Sequence, residues 1–277
     1  MKITALALAV ATLLVGWGKA APYDDAFLSI WNIHVQRPDD HEGVAAACRA
    51  AIARLGNDDS AALGPYLPVV QTIEGWRLLQ AKRTAEATTA FEAALDRGRG
   101  GSDTRLHAAD TVARRWLSRI DREQVVVALD AYHREHVAFP DDLAVFQTGP
   151  VADQPPLRDR KNEPWGYQLV SFRRLKAGGQ QRYALFSRSI GRETSALDVA
   201  LALRPSDVPI TFVRKNTGTP ALAEFRIGSG TSQPVVVQEG ARSGGLRFVA
   251  IDGLGRFALL CDDDFWLMAL PPAGGRR

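Results

Sequence analysis

The chain has 277 residues, of which 46% are hydrophobic and 23% are charged. This length suits two small domains or one large one, and the composition excludes a disordered chain or a coiled-coil rod. The formal charge of +3 includes Lys2 and Lys19, and without residues 1–20 the chain carries 32 basic against 31 acidic residues. Such a balanced charge argues against nucleic-acid binding.

Residues 1–20 have the pattern of a secretory signal peptide. Lys2 gives a positive start, residues 3–17 are almost entirely apolar, and Gly18 and Ala20 stand at the −3 and −1 positions of a cleavage site. The apolar run is about 15 residues long, shorter than the roughly 20 that a transmembrane helix needs. We expect an exported protein, periplasmic or extracellular, with no transmembrane segment after signal cleavage. An uncleaved N-terminal anchor is the open alternative.

The chain changes character near Pro140. Ala, Leu and Arg dominate residues 22–137, with helices expected at 23–36 and 41–55, whereas Gly, Pro and short β-type runs are frequent afterwards. Helices followed by strands predict an α+β fold rather than alternating α/β. The predicted units are a signal peptide at 1–20, a helical module at 21–103, an α/β head at 104–203, a small all-β domain at 204–271 and a tail at 272–277.

The two cysteines do not indicate a disulfide framework. Cys48 lies in an Ala-rich helical stretch and Cys261 lies near the C-terminus, so no local spacing pattern relates them. We expect two buried free thiols. A disulfide between them stays open, because exported proteins fold in oxidising compartments.

Residues 67–100 predict two antiparallel helices. Gly75 has no side chain and allows close packing of the first helix. Ala87, Phe91 and Ala94 follow at i, i+4 and i+7 and form the face of the second helix that packs against it. This pattern resembles a single tetratricopeptide repeat, in which Lys82 takes the place of the usual turn glycine. An ordinary αα-hairpin explains the same residues. In either case the unit is a small helical docking module that needs neighbouring helices to cover its faces.

The most specific pattern runs from Arg122 to Val199. It contains, in order, a helix with Leu129-Asp-Ala-Tyr132, then Phe139-Pro140, Glu163-Pro-Trp-Gly166, a strand, and Ser189-Ile-Gly-Arg-Glu193. Order and spacing resemble the globular head of the major pseudopilin of type II secretion systems. The resemblance implies a long helix on a small antiparallel sheet. Pro140 would end the helix, Phe139 would pack beneath it, and Trp165 would fold back as an apolar plug.

The final loop of that family binds calcium. By position, Ser189, Glu193 and Asp198 correspond to the loop's serine, its aspartate and the later acidic residue, so the resemblance implies a Ca²⁺ site at these three residues. Glu193 replaces the family's aspartate, and Arg188 and Arg192 stand close enough to pair with the same carboxylates. A salt-bridged loop without metal is therefore the alternative. No other cofactor is expected.

One departure from the family concerns the segment before the head. A pseudopilin begins with a prepilin-peptidase site and a hydrophobic helix that polymerises. Residues 104–121 stand in that helix's place and contain six charged side chains, namely Arg105, Asp110, Arg114, Arg115, Arg119 and Asp121. Such a helix cannot enter the apolar core of a pilus. The pattern indicates a pseudopilin-like head joined to a soluble helical module.

The C-terminal region, from residue 205 to residue 271, predicts a small sheet or barrel. Short apolar runs alternate with Gly-rich and Asp-rich turns, and the predicted strands are 224–227, 235–238, 246–251, 257–261 and 265–270. The order of these runs is similar to that in periplasmic β domains of secretion and pilus assembly proteins, such as the inner-membrane clamp protein and the pilus lipoprotein.

No pattern in the sequence indicates a catalytic site. His133 and His136 lie near Asp130 and Glu135 on one helix, but a solvated, charge-mixed helix end explains these residues better than a zinc site. The three tryptophans in the central part of the chain are expected in the core: Trp76, Trp116 and Trp165.

The sequence therefore predicts a non-catalytic interaction protein of the cell envelope. It would be an accessory component of a type II secretion or type IV pilus-like system, with proteins of that machine as its partners. The alternative is a secreted enzyme, with or without a metal, whose site assembles around residues 120–200. A head reused without any role in secretion is a third interpretation.

Overall fold

The computed structural model describes residues 22–55, 63–99, 101–148, 150, 154–170, 181–188, 196–203, 210–216, 220–228 and 233–271. The predicted signal peptide at 1–20 and the tail at 272–277 lie outside these ranges. Helices dominate as far as residue 136 and antiparallel strands follow, which confirms the predicted α+β class. Among the helices that the structure describes, none is both long enough and apolar enough to cross a membrane.

The N-terminal part of the chain forms four helices, α1 (Pro22–Gln36), α2 (His41–Leu55), α3 (Leu67–Gln80) and α4 (Thr84–Gly98). The first two confirm the helices predicted at 23–36 and 41–55. Asp40 begins α2, because its carboxylate accepts a hydrogen bond from the amide of Gly43 at 2.9 Å. Helix α3 packs against α2 and α4 and is buried over most of its length.

Helices α3 and α4 form the predicted hairpin. They pack closely at Gly75, where an added Cβ would lie 2.8 Å from the ring of Phe91. Ala87, Phe91 and Ala94 are all fully buried on the predicted packing face. Lys82 lies in the turn with a φ of +60°, a left-handed conformation that glycine adopts more readily. The lysine therefore keeps the path of the turn at some cost in backbone strain.

Helix α5 (Thr104–His136) is continuous over 33 residues. Asp103 begins it by accepting a hydrogen bond from the amide of Arg105 at 2.8 Å. It ends at Val137, whose φ of +58° is left-handed. Pro140 follows three residues later, as expected for a proline placed just beyond a helix end.

The two halves of α5 pack in different hydrophobic clusters. The N-terminal half buries Trp116 in the main core, which also contains side chains of α1 to α4. The C-terminal half buries Val125 and Leu129 in a smaller cluster with Trp165 and Leu185. One helix thus connects the helical part of the chain to the small sheet that follows it.

That sheet has two antiparallel strands, β1 (Trp165–Val170) and β2 (Arg182–Ser187), paired from Trp165 opposite Ser187. Gly166 lies against the ring of Phe186, and an added Cβ would be 2.3 Å from that ring. A short helix, α6 (Leu197–Ala202), follows.

The C-terminal region forms two further antiparallel sheets. One contains β3 (Ile210–Asn216), β4 (Leu222–Ile227) and β5 (Val235–Gln238); the other contains β6 (Arg242–Ser243), β7 (Leu246–Ile251), β8 (Ala258–Cys261) and β9 (Trp266–Ala269). Five of these seven strands coincide with predicted strands, and β3 and β6 were not predicted. An isolated bridge between Thr211 and Leu270 joins β3 to the end of β9.

The four-stranded sheet and the N-terminal helices share one hydrophobic cluster. Phe257 contacts the rings of Phe27 and Tyr66, with ring centroids 6.0 and 6.5 Å away. The two cysteines lie in the same cluster, and both are buried and unlinked, as predicted. Burial raises the pKa of the Cys48 thiol to about 12, which leaves it protonated and unreactive at neutral pH.

Candidate functional site

A cavity of about 560 Å³ opens where the helical part of the chain meets the C-terminal strands. Its lining comes from the end of α1, the α1–α2 connection and the start of α2, from α3, from α6, and from β3 and β9. The lining residues are Trp31, His34, Val35, Pro38, Asp39, His41, Trp76, Arg77, Gln80, Leu201, Ala202, Leu203, Ile210, Trp266, Leu267 and Met268. We call it the Arg77 cavity.

Arg77 is a buried guanidinium on α3, with 2% of its surface exposed. Its Nε donates to Nδ1 of His34 at 3.1 Å, and its Nη1 donates to Nδ1 of His41 at 3.0 Å. The same guanidinium also donates to the backbone carbonyls of Pro38 and His34. In the part of the chain that the structure describes, all its bonded partners are neutral acceptors and no carboxylate forms an ion pair with it.

These hydrogen bonds fix the state of the two histidines. A guanidinium only donates, so Nδ1 of each ring must be unprotonated and each neutral ring carries its proton on Nε2. Burial, followed by the charge of Arg77, lowers the pKa of His34 to about 3. The same two causes lower the pKa of His41. Both rings are therefore neutral hydrogen-bond donors at physiological pH and weak bases.

Aromatic side chains form much of the remaining surface of the cavity. The Trp76 ring lies 6.0 Å from His34 and 6.1 Å from His41, both measured between ring centroids. The Trp266 indole N–H is used internally, because it donates to the Thr72 hydroxyl at 2.8 Å. The indole N–H of Trp76 has no hydrogen-bond partner among the described residues.

The cavity thus combines a positive, donor-rich floor with apolar sides. The buried charge of Arg77 favours an anion, and the aromatic and aliphatic side chains favour an apolar body. Its chemistry suits a carboxylate attached to an apolar group. Asp39 lies on the lining as well, but its side chain is exposed at the mouth.

The predicted calcium residues are only partly described. Ser189 and Glu193 lie outside the described residues. Asp198 lies in the first turn of α6, where its exposed carboxylate accepts a hydrogen bond from the amide of Val199 at 2.8 Å. Within the ranges that the structure describes, no three His, Cys, Asp or Glu side chains form a group able to hold a metal. Calcium binding stays a prediction.

Several described residues of the pseudopilin-like pattern, Leu129, Phe139 and Trp165, pack in the small cluster on the C-terminal half of α5. Trp165 is buried and its indole N–H donates to the Pro156 carbonyl at 2.9 Å. Phe139 packs edge-on against Tyr183, with ring centroids 4.7 Å apart. The Tyr167 hydroxyl donates to the carbonyl of Pro140 at 2.8 Å. These residues therefore have structural roles.

The Arg77 cavity was not predicted from the sequence. Trp116 and Trp165 are buried as expected, whereas Trp76 is half-buried and lines the cavity. The sequence signal was weak: Arg77 lies in a largely apolar helix, and the two histidines that it bonds, His34 and His41, stand about 40 residues away in other elements.

Comparisons of the chain with protein-family models, with curated proteins and with solved structures find no match.

Proposed function

We propose that this chain is an exported, non-catalytic interaction protein that serves as an accessory component of a type II secretion or type IV pilus-like machine. It binds a partner protein of that machine by taking a carboxylate-bearing, apolar segment into the Arg77 cavity. The supporting observation for the binding role is the buried Arg77 guanidinium, which has only neutral hydrogen-bond partners among the described residues.

A buried charge with no carboxylate in direct contact is unfavourable, and Asp39 and Asp40 act on Arg77 only from a distance. An incoming carboxylate relieves that cost. The Nε2 protons of His34 and His41 and the indole N–H of Trp76 add neutral donors around it. Hydrogen bonds from such donors to an ionised acceptor are stronger than those between neutral groups. Electrostatics therefore selects the charged end of the segment, while the tryptophans and aliphatic side chains of the cavity bind its apolar part.

The state of the histidines supports binding rather than acid–base catalysis. A general base works best when its pKa lies near the working pH. Burial and the neighbouring Arg77 bring the pKa of His34 to about 3, so this imidazole is too weak a base to remove a proton from a substrate.

The assignment to a secretion or pilus machine is supported by the resemblance of residues 122–199 to a pseudopilin head, and by the signal-peptide pattern at 1–20. The charged segment at 104–121 supports an accessory role rather than a place in the polymer. The β domain at 204–271 points in the same direction through its similarity to periplasmic assembly domains.

The experiment is a crosslinking pull-down of the mature chain from native envelopes, with mass spectrometry of the partners. Val35→Glu places a competing carboxylate at the mouth of the Arg77 cavity, on a side chain that is 56% exposed. Val127→Glu makes the same change on α5 at a position that is 65% exposed and does not line the cavity. We expect the wild type and Val127→Glu to recover pseudopilins, a secretin or platform proteins, and Val35→Glu to lose most of that recovery.

Two outcomes would count against the proposal. Recovery of the protein alone would remove the accessory role and favour an enzyme or a free-standing binding protein. Equal recovery by both variants would keep the accessory role and exclude the Arg77 cavity as the binding site.

A further inference from the structure

A second groove, of about 350 Å³, lies on the helical part of the chain between α2, α3 and α4. Its chemistry is the reverse of that of the Arg77 cavity, and the two share no lining residue. The residues that matter here are Arg49, Ile52, Gln71, Glu74, Glu86 and Ala90. We call it the Glu74 groove.

Two buried acceptors lie side by side in this groove. Gln71 and Glu74 are one turn apart on α3, and each is only 6% exposed. The side-chain oxygen of Gln71 is buried and has no hydrogen-bond partner within the described ranges. Buried amide oxygens are nearly always hydrogen-bonded in folded proteins, so an unpartnered one at the wall of a groove indicates a donor that comes from outside.

The Glu74 carboxylate has a cation nearby but receives no hydrogen bond from it. The Nε of Arg49 lies 3.7 Å from Glu74, beyond hydrogen-bond distance. The Nη1 of the same guanidinium donates to Glu86 at 2.9 Å, on the exposed rim. Burial, which Arg49 only partly offsets, raises the pKa of Glu74 to about 7. The carboxylate is therefore poorly solvated and poorly paired.

We infer that the Glu74 groove binds a primary ammonium group, the side chain of a lysine on a partner polypeptide. An ammonium has three N–H donors, and the groove offers three acceptor oxygens, one from Gln71 and two from Glu74. Ile52 and Ala90 provide apolar surface for the methylene chain of the lysine. This site extends the proposed function to a second contact and does not depend on the first.

The test is an NMR titration of the ¹⁵N-labelled full chain with Nα-acetyl-lysine methylamide as the probe. Nα-acetyl-norleucine methylamide is the uncharged match of similar length, and Nα-acetyl-arginine methylamide tests a guanidinium. We expect saturable shifts of the Gln71 side-chain amide with the lysine probe, none with the norleucine probe, and binding of the arginine probe that is several-fold weaker.

Variants of single groove residues sharpen the test. Glu74→Gln should weaken binding of the lysine probe at least tenfold, whereas Glu92→Gln, the same change at an exposed site outside the groove, should leave it unchanged. Val35→Glu, which blocks the Arg77 cavity, should have no effect, so failure of the two proposals can be told apart.

Three results would overturn the inference. Shifts of equal size with the norleucine probe would indicate an apolar groove. Tighter binding of the arginine probe would show that the groove prefers a guanidinium to an ammonium group. Equal affinities of Glu74→Gln and Glu92→Gln for the lysine probe would show that Glu74 does not contribute to the binding site.

Discussion

At the scale of single residues, the carboxyl groups of Asp24 on α1 and Asp252 after β7 are both buried and influence each other's ionisation. Their exposed fractions are 3% and 0%. Burial raises the pKa of Asp24. Although burial also opposes ionisation of Asp252, hydrogen bonds from the side chain and amide of Arg256 hold the pKa of Asp252 below its usual range. Of the two carboxyls, Asp24 is therefore the easier one to protonate.

Replacing Asp24 by asparagine should stabilise the protein at neutral pH. Because the pKa of Asp24 is raised on folding, its contribution to stability is complete below the unfolded pKa of about 3.9 and is lost as the pH rises through the folded pKa. Asparagine keeps a donor toward Asp252 and cannot ionise. The free energy of unfolding of Asp24→Asn should exceed that of the wild type near pH 8, and the gain should shrink near pH 4. Urea unfolding at both pH values measures it.

The neighbouring Asp25 supplies the control. Its carboxylate is exposed and contacts Arg256 at 2.5 Å, so Asp25→Asn should cost at most about 1 kcal/mol and show no gain at high pH. The other groups near Asp24 are the Gly253 amide, which does not titrate, and the Tyr66 hydroxyl. Burial raises the pKa of Tyr66, so this hydroxyl stays protonated between pH 4 and pH 8. Parallel pH profiles for Asp24→Asn and the wild type would contradict a raised pKa of Asp24 in the folded protein.

At the scale of elements, local sequence patterns predicted most helices and strands, because residues close together in the sequence determine where each element forms. Asp103 and Asp40 begin helices, and Gly75 predicted a close helix contact that depends only on two neighbouring elements. Strand β3 was missed because it follows a Pro-rich stretch and ends in Arg-Lys-Asn, which weakens its apolar signal. Strand β6 has only two residues, too few for any pattern.

Gly75→Ala should destabilise the α3–α4 hairpin. Alanine favours a helix over glycine by about 1 kcal/mol, but the added Cβ would lie 2.8 Å from the Phe91 ring, and such overpacking costs about 1–3 kcal/mol. We expect a net loss of about 1 kcal/mol in the free energy of unfolding, measured with urea. The double variant Gly75→Ala/Phe91→Leu should lose less unfolding free energy than the two single variants lose together. Additive losses would show that the ring does not limit the packing.

At the scale of the whole molecule, neither the Arg77 cavity nor the shared core followed from the sequence. The cavity brings together residues from α1, α3, α6 and β9, and each of these residues is unremarkable within its own element. The predicted boundary at residue 203 separates an α/β head from an all-β domain, yet Phe257 and Phe265 pack in the cluster formed by the helices. Long-range packing of this kind leaves no periodic signal, because it depends on how finished elements fit together.

The hairpin between β8 and β9 is held on α5 by ion pairs of Asp264, whose side chain is 16% exposed, with Arg115 and with the buried Arg119. Asp264 contacts Arg115 at 2.7 Å and Arg119 at 2.8 Å, and the Trp116 indole donates to its carbonyl at 2.9 Å. Although burial opposes it, the hydrogen bonds from Arg115 and the nearby charge of Arg119 hold the pKa of Asp264 below its usual range. The charged residues of α5 that distinguish it from a polymerising helix therefore help to join the two parts of the chain.

Asp264→Asn should cost about 3–5 kcal/mol in the free energy of unfolding, because it removes the carboxylate from a buried pair and leaves the positive charge of Arg119 in the interior. Asp263→Asn is the matched control, since its partner Arg242 is 42% exposed and such a pair contributes about 0–1 kcal/mol. Asparagine also tolerates the φ of +76° at position 263. Urea unfolding followed by tryptophan fluorescence and by circular dichroism should give coincident transitions in both variants, because one core joins the helices to the sheet. Equal losses in the two variants would show that packing, and not the ion pair, holds the hairpin on α5.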